Sequence, residues 1–273
     1  MARNTYGLDL GSYEIKVYDK KQDTIWKEKN VLAVQDKKEI IAIGEDAYQM
    51  YEKTPPDIEV AFPMRDGVIS RFNDMQNLLQ NILKKNRHFS RGAEYVIAVP
   101  TDVTEVQKKA FFDLVIHSNA KAREVNIVER SIADAVGLGI DVQNTTGVMI
   151  INFGGETTEL SVLTEGGIVF NRLLKLGGTT LDQEIVNLVR NSHDFLIGSR
   201  TAEILRQQFD VFNGDSETAF SVAGRDLITG LPMRKTISIT LVRAAFKDTL
   251  LECMKAVRSM LARTPPEIRK AIY

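Results

Sequence analysis

Two short glycine turns hold the residues of this chain best suited to chemistry. The first is Leu8-Asp9-Leu10-Gly11-Ser12, followed by Tyr13, Glu14 and Lys16. The second is Asn152-Phe153-Gly154-Gly155-Glu156-Thr157-Thr158. A tight turn between two strands points several backbone N–H groups one way, and glycine lets an anion approach because no Cβ obstructs it. Such a nest binds phosphate. Ser12 adds a hydroxyl and Lys16 a cation. Asp9 has the chemistry to hold Mg²⁺ through waters, since that ion keeps several of them. Either turn alone also fits an ordinary polar hairpin. Two of them, one opening each half of the chain, form a clamp for a polyphosphate.

The elements that position these turns follow from hydrophobic spacing. Tyr6 to Tyr18 reads as a strand–turn–strand, and Val31–Val34 and Ile40–Ile43 as short strands. Phe72, Met75, Leu79, Ile82 and Leu83 recur at helical steps. Tyr95–Val99, a helix through Val106–Val115, Val125–Val128 and a helix through Ile132–Val136 give the order of a parallel α/β layer with crossovers. A second strand–turn–strand follows at 147–163, then a strand at Ile168–Leu174 and a helix through Leu181–Val189, for which Thr180 and Gln183 have capping-box spacing. Further helices are predicted at Thr201–Phe209 and Leu241–Leu261, the latter as packed core rather than coiled coil. The layout therefore repeats once.

Composition narrows the classes. The chain has 273 residues, with Lys plus Arg at 35 and Asp plus Glu at 36, a formal charge of −1. That balance argues against a dedicated nucleic-acid binder. The single Cys253 lies in an apolar helical pattern and reads as core. His88, His117 and His193 lack ligand spacing, so no zinc site is expected. The start has no signal-peptide pattern, and no run approaches the roughly 18 apolar residues of a membrane span. A cytoplasmic protein is expected.

The residues also match a family. The chain resembles MreB, the bacterial actin-like cell-shape protein of the actin/sugar-kinase/chaperone ATPase superfamily, from Gly7 onward. The most specific pieces are Gly7-Leu8-Asp9-Leu10-Gly11-Ser12, Ala42-Ile43-Gly44-Glu45-Asp46-Ala47, Pro63-Met64-Arg65-Asp66-Gly67-Val68-Ile69, Gly198-Ser199-Arg200-Thr201-Ala202-Glu203, Gly224–Pro232 and Thr264-Pro265-Pro266-Glu267. The resemblance implies an α/β, actin-like (ribonuclease-H-type) two-lobed fold with inserted small subdomains. First-lobe core would be 1–31 and 65–145, with an insert at 32–64. Second-lobe core would be 146–177 and 241–273, with an insert at 178–240. The family's chains run on past Thr-Pro-Pro-Glu, so the second lobe and its adenosine clamp are expected to be incomplete here, with core surface exposed.

The resemblance implies ATP, or GTP, with Mg²⁺. Gly11, Ser12, Tyr13, Glu14 and Lys16 take the positions of the first phosphate loop, and Gly154, Gly155, Glu156 and Thr157 those of the second. Asp9 is the expected metal position, through water. The helix carrying Glu203, Ile204, Leu205 and Arg206 looks like the one that contacts ribose and adenine. The departures bear on hydrolysis. Asn152 stands where the family has Asp, Glu156 where it has a third Gly, Arg130 where it has the water-activating Glu, and Lys16 where it usually has an apolar residue. Glu129 is the remaining candidate for a catalytic acid.

The function implied is a cytoskeletal filament protein of cell-shape control, partnering itself or an MreB paralogue and cell-elongation proteins. Three alternatives remain open: an inactive pseudo-ATPase that regulates filaments, a working ATPase of the same fold, and a phosphotransferase. A peripheral inner-membrane contact is expected at the basic stretch around Phe89.

Overall fold

A computed structural model describes residues 4–85 and 92–272. The chain divides into two compact units, Met1–Leu173 with Pro265–Tyr273, and Leu174–Thr264.

The first unit opens with the hairpin β1 (Thr5–Leu10) and β2 (Glu14–Asp19), extended by β3 (Thr24–Lys29). A small insertion follows: β4 (Leu32–Gln35), β5 (Glu39–Ile43), helix α1 (Glu45–Met50) and β6 (Ile58–Ala61). Its three strands pair in the order β5-β4-β6, over a separate small core of Val31, Ala33 and Ala47. A two-residue turn then joins β7 (Met64–Arg65) to β8 (Val68–Ile69). Asp66 and Gly67 both have positive φ, 50° and 81°, which two-residue hairpin turns of this hand require and Asp-Gly supplies.

Helix α2 (Phe72–Lys85), β9 (Glu94–Val99), α3 (Glu105–Ile116), β10 (Glu124–Glu129) and α4 (Arg130–Gly137) continue the unit. The main sheet runs β10-β9-β1-β2-β3, with β1–β9 and β9–β10 parallel. Alternation sets its faces. Tyr6, Leu8 and Leu10 point to one core with Tyr95, Ile97 and Val99, and α2 and α3 cover it with Met75, Leu79, Phe111 and Leu114. The rings of Tyr6 and Tyr95 lie 5.3 Å apart. Burial pushes the Tyr95 hydroxyl far above its usual pKa.

The second glycine hairpin belongs to the same unit: β11 (Val148–Phe153) and β12 (Thr158–Thr164), followed by β13 (Gly167–Leu174), a three-stranded sheet. Outside that sheet's core, Val136, Leu138, Ile151 and Phe153 are exposed.

The second unit holds α5 (Gly178–His193), β14 (Phe195–Leu196), α6 (Ser199–Gln208), β15 (Ala219–Asp226), β16 (Pro232–Ser238) and α7 (Ile239–Arg263). Its core is Ile185, Val189, Phe195, Leu205, Ile237 and Val242. Helix α5 starts two residues before the predicted cap at Thr180. The bond that forms there is from the Gly177 amide to Thr180 Oγ1, 3.3 Å. Gly177 has no side chain to complete a box, so the Thr180–Gln183 reading does not hold. Helix α7 packs in this unit, on α5 and β16. Cys253 is buried in it, and that burial raises its thiol pKa. The chain returns to the first unit through α8 (Pro266–Ile272), which begins with proline, a residue suited to the first helical position.

Candidate functional site

The two glycine hairpins have one geometry. In the first, the Gly11 amide donates to the Glu14 carbonyl at 3.1 Å; in the second, the Gly154 amide donates to the Thr157 carbonyl at 2.8 Å. A Cβ on Gly11 would lie 2.8 Å from that carbonyl oxygen, and one on Gly154 would lie 2.9 Å from its own. Both turns therefore need glycine for close approach. The strand registers match too: Asp9 pairs with Lys16 in β1–β2 as Asn152 pairs with Glu159 in β11–β12.

The hairpins converge on one cavity of about 240 Å³, lined by Gly11, Ser12, Lys16, Gly154, Gly155 and Thr157 among others. A methyl group on Gly155 would fall 2.5 Å from Tyr13 Cβ, so the turns touch. All eight sequence-predicted phosphate-loop positions on Gly11–Glu14 and Gly154–Thr157 lie on this cavity, and so do Lys16 and Asp9.

A third turn, which the sequence reading quoted only as a family motif, ties the two together. The Gly67 amide donates to Ser12 Oγ at 3.1 Å. The Asp66 amide donates to Glu156 Oε2 at 2.7 Å, and Arg65 Nη1 lies 3.2 Å from Glu156 Oε1. Glu156 thus directs both oxygens at this turn. The Asp-Gly dipeptide between apolar residues was the available signal for this turn. Asn30, also unforeseen, donates to the Gly11 carbonyl at 2.7 Å.

Charge is arranged around Asp9. Lys16 Nζ is 2.9 Å from its Oδ2, and Arg130 Nη2 is 3.5 Å from its Oδ1. Asn152 Nδ2 donates to Asp134 Oδ2 at 2.7 Å. Burial raises the Asp134 pKa, against the opposing pull of that amide and of Arg130. Glu159 is the acid the sequence reading missed. It is 3% exposed, lines the cavity, and accepts the Thr101 amide on Oε1 at 3.0 Å, while its buried Oε2 has no hydrogen-bond partner. Its signal was its register position opposite Asn152 on the second hairpin. Glu129 is not on the cavity; its carboxylate is 42% exposed and lies 3.9 Å from Lys108.

Each oxygen of Asp9, the expected water-mediated metal position, faces a cation. Among the described residues no group of three or more His, Cys, Asp or Glu side chains could hold a metal ion. Glu203, Ile204, Leu205 and Arg206 lie in the second unit. Glu203 and Leu205 are buried there, and Ile204 is exposed. Arg206 forms a two-pronged pair with Asp182, at 2.6 and 3.1 Å. The Phe89 stretch falls outside the described residues.

The family model described as MreB/Mbl protein matches residues 3–273. The chain belongs to the MreB/Mbl family. It is 33% identical over 281 residues to the cell shape-determining protein MreB of Escherichia coli, covering 100% of this chain and 80% of that protein. To the cell shape-determining protein Mbl of Bacillus subtilis it is 31% identical over 267 residues, covering 96% and 79%. The crystal structure of MreB5 of Spiroplasma citri bound to AMPPNP superposes with a TM-score of 0.91 at 30% identity, over 99% of this chain and 82% of that one. The MamK double helical filament, 20% identical with a TM-score of 0.80 over 99% and 83%, shares the fold. The fold is therefore actin-like, as expected. Arg130, Asn152 and Glu156, where the resemblance implied other residues, each have a partner: Asp9, Asp134, and Arg65 with the Asp66 amide.

Proposed function

We propose that this chain is a nucleotide-dependent cytoskeletal protein of the cell-shape kind, which binds an adenine nucleotide between its glycine hairpins and assembles with copies of itself. One observation carries the reading: two turns with the same hydrogen-bond pattern, from opposite halves of the sequence, meet at a cavity whose lining includes the Ser12 hydroxyl and the cations Lys16 and Arg130. Ser12 Oγ accepts from Gly67, which leaves its proton to donate to a phosphate oxygen. The relatives support the ligand, since MreB5 of Spiroplasma citri was solved with both AMPPNP and ADP. ATP is the nucleotide expected, with GTP as the competitor to test. Partnership with an MreB paralogue or cell-elongation proteins, a cytoplasmic location and a peripheral membrane contact near Phe89 belong to the same proposal. Among the described residues no helix is long and apolar enough to cross a membrane.

The test is sedimentation of the purified chain with and without ATP. Nucleotide-dependent pelleting supports the proposal, and a chain that neither pellets nor binds nucleotide refutes it. A second reading, a partner that binds filaments without turnover, is favoured by Arg130 and Asn152 at positions where the family pattern places acids. Phosphate release from ATP, lost on Glu159→Gln, would exclude it.

A further inference from the structure

We infer that this chain takes up a nucleotide's polyphosphate without a divalent cation, because Lys16 and Arg130, meeting at Asp9, supply the two positive charges that such an ion would bring. This rests on the nucleotide reading above.

A triphosphate tail is strongly anionic, and a hydrated divalent ion normally offsets part of that charge while protein carboxylates hold it through one or two contacts plus the phosphates. Here the carboxylate in position to do so is spoken for. Lys16 Nζ stands 2.9 Å from one oxygen of Asp9, and Arg130 Nη2 stands 3.5 Å from the other. A divalent ion drawn to Asp9 would arrive beside two like charges. The Arg130 side chain is only 11% exposed, so water screens that repulsion poorly.

On the second hairpin the polar residues at and beside the turn are committed elsewhere, which leaves Glu159 as its one candidate. Asn152 occupies the register position that matches Asp9, and it is a neutral amide whose nitrogen is committed to Asp134. Glu156 is committed to Arg65 and the Asp66 amide. Guanidinium and ammonium groups are phosphate ligands in their own right, the first by paired donors and the second as a point charge. Asp9 then acts as the anchor that holds both cations at the cavity. Glu159, with one unpartnered oxygen, marks where a metal would bind if the inference were wrong.

The experiment titrates a fluorescent ATP analogue into the full chain, once in excess EDTA and once in excess magnesium. The dissociation constants are expected to agree within about fivefold, less than about 1 kcal/mol. Arg130→Glu and Lys16→Met are each expected to weaken binding in EDTA by about tenfold or more, and magnesium is expected to recover part of the loss in Arg130→Glu. If circular dichroism shows Arg130→Glu unfolded, Lys16→Met carries the test, because its side chain is 43% exposed. A larger loss for the unaltered chain in EDTA overturns the inference and leaves the nucleotide reading standing. So does a magnesium requirement that disappears with Glu159→Gln. Absence of binding in both buffers overturns the nucleotide reading and this inference together.

Discussion

Gly155 packs directly against Tyr13, so that a methyl group on the glycine would lie 2.5 Å from Tyr13 Cβ. The contact is between chain segments anchored by strands on both sides, not with the free end of a side chain. Gly155→Ala is therefore expected to push the hairpins apart, lowering stability by about 1–3 kcal/mol and weakening binding of a fluorescent ATP analogue. Urea unfolding and nucleotide titration of the same variant check the two effects.

Glu156, on the second glycine turn, braces the turn at Arg65 and Asp66. It receives the Asp66 amide at 2.7 Å and the Arg65 guanidinium at 3.2 Å. Glu156→Gly is expected to cost about 1–3 kcal/mol, the scale of a hydrogen bond to a charged group, with Glu156→Gln in between. Chemical denaturation measures the order.

Asn152→Asp would restore the family's acid and would also set two carboxyl groups at the 2.7 Å now spanned by the Asn152–Asp134 hydrogen bond. Asp134 already has a raised pKa through burial. A carboxyl held above its unfolded value favours the fold at low pH and loses that advantage as pH rises through the folded pKa. The added acid should enlarge the effect, since one proton must be shared. The variant is expected to be less stable than the parent near neutrality, with the gap closing toward acid pH in thermal melts.

Asp226 behaves in the opposite sense. The Thr229 amide at 2.8 Å, and then the Lys235 ammonium at 2.9 Å, hold its pKa well below the usual carboxylate range. Its contribution is complete above the unfolded value of about 4 and is lost as pH falls toward the folded one. Asp226→Asn should therefore melt lower than the parent at neutral pH, and the difference should shrink below about pH 4.

The parallel layer was legible in the sequence because buried strands such as Tyr95–Val99 and helices such as Phe72–Leu83 show their period directly. Strand β3 was not, because Thr24-Ile25-Trp26-Lys27-Glu28-Lys29 is half exposed and charged. Helix α1 is only six residues long, too short for a helical period to register. At the site, the two glycine turns were readable from residue type. The partners of Arg130, Asn152 and Glu156 were not, since they lie 121, 18 and about 90 residues away in the chain. Each of these residues is matched by a neighbour that only folding supplies.

The matched registers of the two hairpins place Lys16 and Glu159 at equivalent points, one on each side of the cavity. Related by backbone but opposite in charge, they give the clamp a polarity that its symmetry would otherwise deny it. An asymmetric ligand entering such a cleft meets an attractive wall and a repulsive one, and so has a preferred way round.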